Sequence, residues 1–178
     1  MQKISNEELG RLSAEEARAA GKAPMVIVLD NIRSMNNVGS IFRTSDAYRV
    51  EKICLCGFTP VPPHREIQKT ALGATESVPW EHFDSTLLCV DSLKQAGYTV
   101  YCIEQVMNST MLQNFEPHVN NKIAVVLGNE VEGVAQEVVN ACDGALELPQ
   151  YGMKHSLNVA VTAGIVIWEL FFKLNKKQ

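Results

Sequence analysis

Residues 25–49 read MVIVLDNIRSMNNVGSIFRTSDAYR, and this stretch decides the fold class. Met25 through Leu29 is an unbroken apolar run of strand-forming residues, closed by Asp30-Asn31. A strand with no polar face has no solvent side, so it belongs in a parallel sheet with helices on both faces. A polar loop follows, and then helical spacing over 38–49 places Val38, Ile41, Phe42 and Ser45 on one side. Strand, polar loop and amphipathic helix are the first half of a βαβ unit.

The pattern repeats toward the C-terminus. Strands are expected over 52–56, 98–103, 122–127 and 145–148, and helices over 65–72, 84–96, 133–141 and 156–174. A Pro-rich loop spans 57–63. On the N-terminal side, Ser5 and Glu8 have capping-box spacing, which predicts a helix to about Ala20. The expected organisation is a short helical extension over 1–24 and one α/β domain over 25–178.

Bulk composition fits that size. The 178 residues are 46% hydrophobic and 20% charged, as in a one-core globular domain rather than a disordered, collagenous or coiled-coil chain. Sixteen basic against twenty acidic side chains give a net charge of −4, which excludes a strongly basic nucleic-acid module. The charge is unevenly spread. Residues 71–151 hold 11 acidic and 2 basic side chains, whereas residues 30–70 hold 6 basic and 4 acidic.

The five cysteines form no disulfide framework: their number is odd, and Cys54 and Cys56 alternate in a strand as small apolar residues. They point to a reducing, cytoplasmic compartment and to no metal site. The first eighteen residues lack an apolar signal core, and the longest apolar stretch, 157–172, is short and contains Glu169, so no membrane association is expected.

Ligands of open α/β sheets collect at the carboxyl ends of strands. Three such loops are rich in Gly, Asn and polar residues: 30–39, 127–133 and 148–158. Each opens a predicted helix and so offers free backbone N–H groups. Gly128 and Gly133 have P-loop spacing, but Val134-Ala135 replace the required Lys-Ser/Thr. No G-x-G-x-x-G follows the first strand, and H-E-x-x-H, C-x-x-C and G-x-S-x-G are absent. Dinucleotide oxidoreduction, zinc hydrolysis and serine-hydrolase chemistry therefore lack support.

The three loops resemble, in order, the three motifs of the SpoU-type (TrmH-like) branch of the SPOUT RNA methyltransferases. Residues 37–47 (NVGSIFRTSDA) resemble the first motif, 123–134 (IAVVLGNEVEGV) the second and 146–165 (LELPQYGMKHSLNVAVTAGI) the third. Three motifs at the ends of the right strands are far more specific than one.

The resemblance implies an α/β fold with a C-terminal deep trefoil knot, S-adenosylmethionine as methyl donor and a ribose 2′-hydroxyl of RNA as acceptor. It implies Asn37, Arg43, Glu130, Ser156 and Asn158 as catalytic residues. Arg43 is the central one, with Asn37 expected to hold it. A guanidinium stays protonated, so Arg43 is expected to orient an RNA phosphate and the hydroxyl rather than to act as a free base. The cofactor is expected on Leu127, Gly128, Asn129, Gly133, Leu148, Gly152, Met153, Ser156 and Leu157, with the leucines as walls for adenine. Ser156 is also expected to cap the last helix, whereas Asn158 is a poor structural choice so early in a helix.

Arg33, Arg43, His64, Arg65, Lys69 and Lys154 are candidate RNA contacts. Lys154-His155 depart from the family pattern by being basic. The few residues before the first strand tilt the expected substrate toward tRNA over rRNA. The last helix has two apolar stripes, and a surface helix needs one. Leu157, Val161, Ile165, Trp168 and Phe172 form one, and Ala160, Ala163, Ile167, Leu170, Phe171 and Leu174 the other. Either the helix is buried within the domain or the second stripe is a homodimer face, which the family also uses; a homodimer is the expectation carried forward. A non-catalytic RNA-binding protein on the same fold is the competing reading, against which the retained Asn37, Arg43, Glu130, Ser156 and Asn158 argue.

Overall fold

A computed structural model describes residues 21–118, 121–153 and 156–175, with residues 3, 4, 8, 10 and 16. The helix expected over 5–20 lies almost entirely outside the described residues.

The elements run β1 (Ala23–Asp30), α1 (Met35–Ala47), β2 (Val50–Cys56), α2 (Arg65–Ala71), α3 (Ala74–Ser77), β3 (Trp80–Phe83), α4 (Thr86–Gln95), β4 (Tyr98–Ile103), β5 (Thr110–Met111), a 3₁₀ turn (Leu112–Asn114), β6 (Lys122–Leu127), α5 (Gln136–Ala141), β7 (Gly144–Glu147) and α6 (Val159–Leu174). The strands form one sheet in the order β3-β2-β1-β6-β4-β7-β5. Every ladder is parallel.

The apolar run of β1 sits at the centre because both its edges are paired, to β2 and β6. Met25, Val26, Ile27, Val28 and Leu29 are fully buried. Alternation then divides them between two cores. Met25, Ile27 and Leu29 meet Val38, Ile41 and Phe42 of α1, Ile67 of α2, and Ala163, Ile167 and Leu170 of α6. Val26 and Val28 face the other side, with Cys54, Cys56, Cys102, and Cys89 and Leu93 of α4. Cys54 and Cys56 are thus small core residues, as their alternation predicted; Cys89 and Cys102 are buried too, Cys142 is partly buried, and all five are free.

The expected strands and helices are present with shifted ends. α1 begins earlier than expected, at Met35, because Ser34 caps it by accepting from the Asn37 N–H (3.3 Å). α5 begins later, at Gln136. Four elements were not foreseen: α3, β3, β5 and the 3₁₀ turn. β3 is an exposed edge strand of mixed polarity, so neither periodicity nor a buried run marks it. β5 is two residues long.

Two polar anchors set the loops at the carboxyl ends. Buried Asp30 accepts from Thr86 Oγ1 (2.5 Å), from Asn31 Nδ2 (2.9 Å) and from the Ala135 N–H (3.3 Å). It fixes the starts of α4 and α5 against the end of β1. At the far end of α6, Lys173 donates to the carbonyls of Leu112, Gln113 and Phe115 (3.0, 2.9 and 2.6 Å). The chain after β7 therefore returns across the sheet, and α6 packs against α1 and β1. The rings of Tyr48 and Phe171 meet edge to face at 5.4 Å along that contact.

Candidate active site

The loops after β1, β6 and β7 meet at the carboxyl edge of the sheet. Glu130, just beyond β6, turns its carboxylate to the N-terminus of α1. It accepts from the backbone N–H groups of Arg33 and Ser34 (both 3.2 Å) and from Asn37 Nδ2 (2.8 Å). Burial opposes its charge, but the bonds from Asn37 and from backbone donors outweigh that and hold the carboxyl below its usual range. A helix N-terminus adds in the same direction.

Asn37 passes the contact on. Its Oδ1 accepts from Asn158 Nδ2 (3.2 Å). Asn158 Oδ1 in turn accepts from the N–H groups of Ala160 and Val161 (2.9 and 3.4 Å) and is the N-cap of α6. Three loops distant in sequence are thus joined by three side chains, and two helix N-termini are satisfied by the same chain of bonds.

This geometry corrects two expectations. Asn158, not Ser156, caps α6, so an Asn at this point has a structural reason. Asn37 does not hold Arg43: its amide is engaged by Glu130 and Asn158. Six residues on a helix turn through about 240°, which sends the two side chains to different faces.

Beyond this relay lies a cavity of about 700 Å³, within the size range of small-molecule sites. Leu127, Leu148 and Leu157 give it apolar walls, and Asn129, Glu130, Ser156 and Asn158 give it polar ones. Gly128 and Gly133 also line it. The 129–133 turn is tight: Asn129 and Gly133 exchange backbone bonds at 3.1 Å, and Asn129 Oδ1 accepts from Val131 and Glu132 (both 2.9 Å).

Both glycines are required there. A Cβ on Gly128 would lie 2.0 Å from the Gly133 carbonyl carbon. Gly133 has φ +70°, and its Cβ would meet Glu104 Oε2 at 2.2 Å. Glu104, which the sequence did not single out, accepts from the Val134 N–H (3.1 Å) and lines the cavity.

Seven of the nine residues expected to hold the cofactor line this cavity. Gly152 and Met153 do not. Met153 is 89% exposed, and a Cβ on Gly152 would meet nothing within 4 Å. These two positions stand apart from the cavity that Leu148, Gln150 and Ser156 of the same loop line, and no close approach requires glycine at 152. Arg43 is also apart. It lies in a separate apolar groove of about 540 Å³ between α1 and α6, with Tyr48, Gly164, Ile165 and Trp168. The single chain brings together Asn37, Glu130, Ser156 and Asn158 and leaves Arg43 outside.

Among the proposed RNA contacts, Arg33 is exposed beside Glu130, with its guanidinium 5.8 Å from the centre of the Phe58 ring. His64 is the N-cap of α2, accepting from the Glu66 N–H through Nδ1 (3.2 Å). Arg65 is exposed, and Lys69 pairs with Glu66 at 2.7 Å. Lys154 lies outside the described residues. Among the described residues, no cluster of side chains has the makings of a metal site, and no helix is long and apolar enough to cross a membrane.

Comparison with known proteins agrees with this geometry. A protein assigned to the TrmH family of tRNA/rRNA methyltransferases in Staphylococcus aureus is 32% identical over 148 residues, which is 83% of this chain and 58% of the relative. The chain thus spans little more than half the length of the curated relatives it matches. The AdoMet-bound rRNA methyltransferase of Sinorhizobium meliloti superposes with a TM-score of 0.79 at 24% identity, over 90% of this chain and 61% of that one. The TrmH/SpoU tRNA modifying enzyme of A. aeolicus superposes with a TM-score of 0.78 at 23% identity, over 90% and 81%. These likenesses establish the fold, a parallel α/β sheet shared with SpoU-type enzymes. The sequence profile described as SpoU rRNA Methylase family matches residues 24–168, and the chain belongs to that family.

Proposed function

We propose that the protein transfers a methyl group from S-adenosylmethionine to a ribose 2′-hydroxyl of RNA, with tRNA the first substrate to test. The observation that carries the reading is the Glu130–Asn37–Asn158 relay at the mouth of a leucine-walled cavity. It joins the three loops in which the family motifs lie.

The residues fit the donor. Leu127, Leu148 and Leu157 suit an adenine face, Asn129 and Ser156 offer polar partners, and the space a Cβ would fill at Gly128 is taken by backbone. S-adenosylmethionine supplies an electrophilic methyl group on a sulfonium. The chemistry it would supply there is a methyl carbon open to attack by the ribose oxygen, with the carbon–sulfur bonding pair left on sulfur. The hydroxyl proton passes to an RNA phosphate or water. The protein's task is to position the hydroxyl and exclude water. In the same reading the C-terminal segment after β7 forms the trefoil knot that the resemblance implies.

Arg43 takes part as a member of a dimer. The stripe Leu157, Val161, Ile165, Trp168 and Phe172 is 42–52% exposed, while Ala163, Ile167 and Leu170 are buried beneath it. One stripe is therefore satisfied within the protomer, and the other offers a face for a second copy. Leu157 lines the cavity, and Ile165 and Trp168 line the Arg43 groove, so this one face connects both. Pairing two such faces brings Arg43 of one protomer toward the cavity of its partner.

Calorimetric titration with S-adenosylmethionine tests the reading. One binding site per chain, lost on substitution of Leu127 or Leu148 by a charged residue, supports it. The absence of binding overturns it.

A further inference from the structure

Directly after β2, the chain presents Phe58 to solvent with 59% of its surface exposed. A large aromatic side chain so exposed contributes little to folding. Its placement is nevertheless fixed from several directions. The Phe58 N–H donates to Asn31 Oδ1 (3.2 Å), and the Ile32 N–H donates to Thr59 Oγ1 (3.0 Å), so residues 31–32 and 58–59 are laced together. Thr59 is buried and also donates toward the Leu29 and Cys56 carbonyls (3.0 and 2.7 Å). Gly57 adopts φ +61°, and any Cβ there would lie 2.1 Å from Asn31 Oδ1. The backbone that carries the ring is thereby fixed just beyond the end of β2.

Arg33 completes the arrangement. Its guanidinium lies over the Phe58 ring, while its backbone N–H is held by Glu130 at the relay. Among the described residues no ion pair engages Arg33. An exposed cation in no ion pair among the described residues, set over a ring that is itself 59% exposed and beside the relay, suits a ligand with a flat π-face and a phosphate.

We propose that Phe58 and Arg33 form a stacking platform for an unpaired RNA base at or next to the nucleotide that is methylated. The inference rests on the RNA-modifying reading above and adds a substrate class: a nucleotide in a loop or single strand. Bases within an A-form duplex keep their faces stacked on one another, whereas unpaired bases can be splayed onto aromatic and guanidinium planes. Neither Phe58 nor Arg33 lines the cavity, so the platform reads the RNA rather than the methyl donor.

The test uses the full chain and a short RNA stem-loop carrying 2-aminopurine in its loop, whose fluorescence falls when the base stacks. A matching duplex places the same base in a pair. The platform predicts quenching on binding of the stem-loop and weaker binding of the duplex. Phe58→Ala should abolish the quench and weaken binding about tenfold or more, whereas Phe58→Trp should preserve both. Unchanged S-adenosylmethionine binding by Phe58→Ala would show that the variant is folded. Wild-type quenching and affinity in Phe58→Ala, equal affinity for the duplex, or no saturable binding of the stem-loop would each overturn the proposal. A chain that transfers methyl groups to RNA without this quench would defeat the platform alone. A chain that does not bind S-adenosylmethionine would defeat the enzyme reading on which it rests.

Discussion

Asn158 donates its side-chain amide to the side-chain oxygen of Asn37 at 3.2 Å, joining residues 121 positions apart. The same Asn158 oxygen caps α6, and the same Asn37 amide reaches Glu130 at 2.8 Å. Each side chain therefore has both ends committed. Neither amide can rotate without placing an oxygen against an acceptor, which is how a short relay fixes the relative position of three loops.

Substitutions at Asn158 should separate the cap from the relay. Asn158→Ala removes both and should cost about 1 kcal/mol of stability, along with most of the methyl transfer. Asn158→Asp keeps a good cap, so stability should change by only a few tenths of a kcal/mol. Its carboxylate, however, faces the Asn37 oxygen. If Asn37 turned to donate to it, its own oxygen would face Glu130. Denaturant unfolding and transfer to bulk tRNA, measured side by side, should show near-native stability with lost activity in Asn158→Asp.

Glu130 gives a pH signature. Its carboxyl titrates below the ordinary value of 4.5 because bonds from Asn37 and from backbone N–H groups outweigh burial. A carboxyl lowered in this way stabilises the fold above its unfolded value. That contribution is lost as pH falls from about 4.5 through the native value. Glu130→Gln should flatten the fall in unfolding midpoint over that acid window and leave stability near neutral pH less affected by pH. Parallel acid limbs for the two proteins would show that Glu130 is not held as described.

The two cavity glycines should differ in severity. The Cβ of Gly128→Ala would meet the backbone of Gly133 and Val134 at 2.0–2.3 Å, and that backbone has no flexible end to move. The Cβ of Gly133→Ala would meet the end of the Glu104 side chain, which can swing away, although φ +70° remains unfavourable for alanine. We expect Gly128→Ala to abolish measurable S-adenosylmethionine binding or folding, and Gly133→Ala to cost ~1–2 kcal/mol of stability. Calorimetry and thermal unfolding would compare them.

The exposed stripe of α6 predicts an oligomeric state. Trp168 is 49% and Ile165 42% exposed in the protomer. Ile165→Glu or Trp168→Glu would place a charge on that face without touching the buried stripe. Sedimentation should show a dimer for the native chain and a monomer for either variant. The variant monomer should lose methyl transfer because Arg43 no longer reaches a partner's cavity. A native monomer at micromolar concentration would contradict the arrangement.

Much of this was legible in the sequence, for physical reasons that also mark the limits. The central strands were readable because five consecutive apolar residues at 25–29 admit only burial on both faces. The sheet order was not, since the placement of β6 between β1 and β4 is a long-range pairing that no local pattern encodes. The cavity residues Leu127, Gly128, Asn129, Gly133 and Leu148 were named because 123–134 and 146–165 resemble the family's second and third motifs, whereas their Gly- and Asn-rich composition alone marked only the ends of strands.

The relay was only half visible. Asn37, Glu130 and Asn158 were named, but Asn37 was paired with Arg43, a neighbour in sequence, when its partners come from other loops. The cap of α6 was placed on Ser156 although Asn158 satisfies the first N–H groups. Phe58 had a local signal, an aromatic residue directly after Gly57 in a Pro-rich loop, but the guanidinium over its ring comes from Arg33 in a different loop, a contact that no local pattern encodes.

The central claim is the chemistry of the acceptor. The most direct measurement incubates the protein with bulk tRNA and methyl-labelled S-adenosylmethionine, digests the RNA to nucleosides and identifies the labelled product by mass spectrometry. The account predicts one 2′-O-methylated nucleoside, formed by the native protein and not by Arg43→Ala. Label on a base, label formed equally by Arg43→Ala, or no label in either tRNA or rRNA would contradict it.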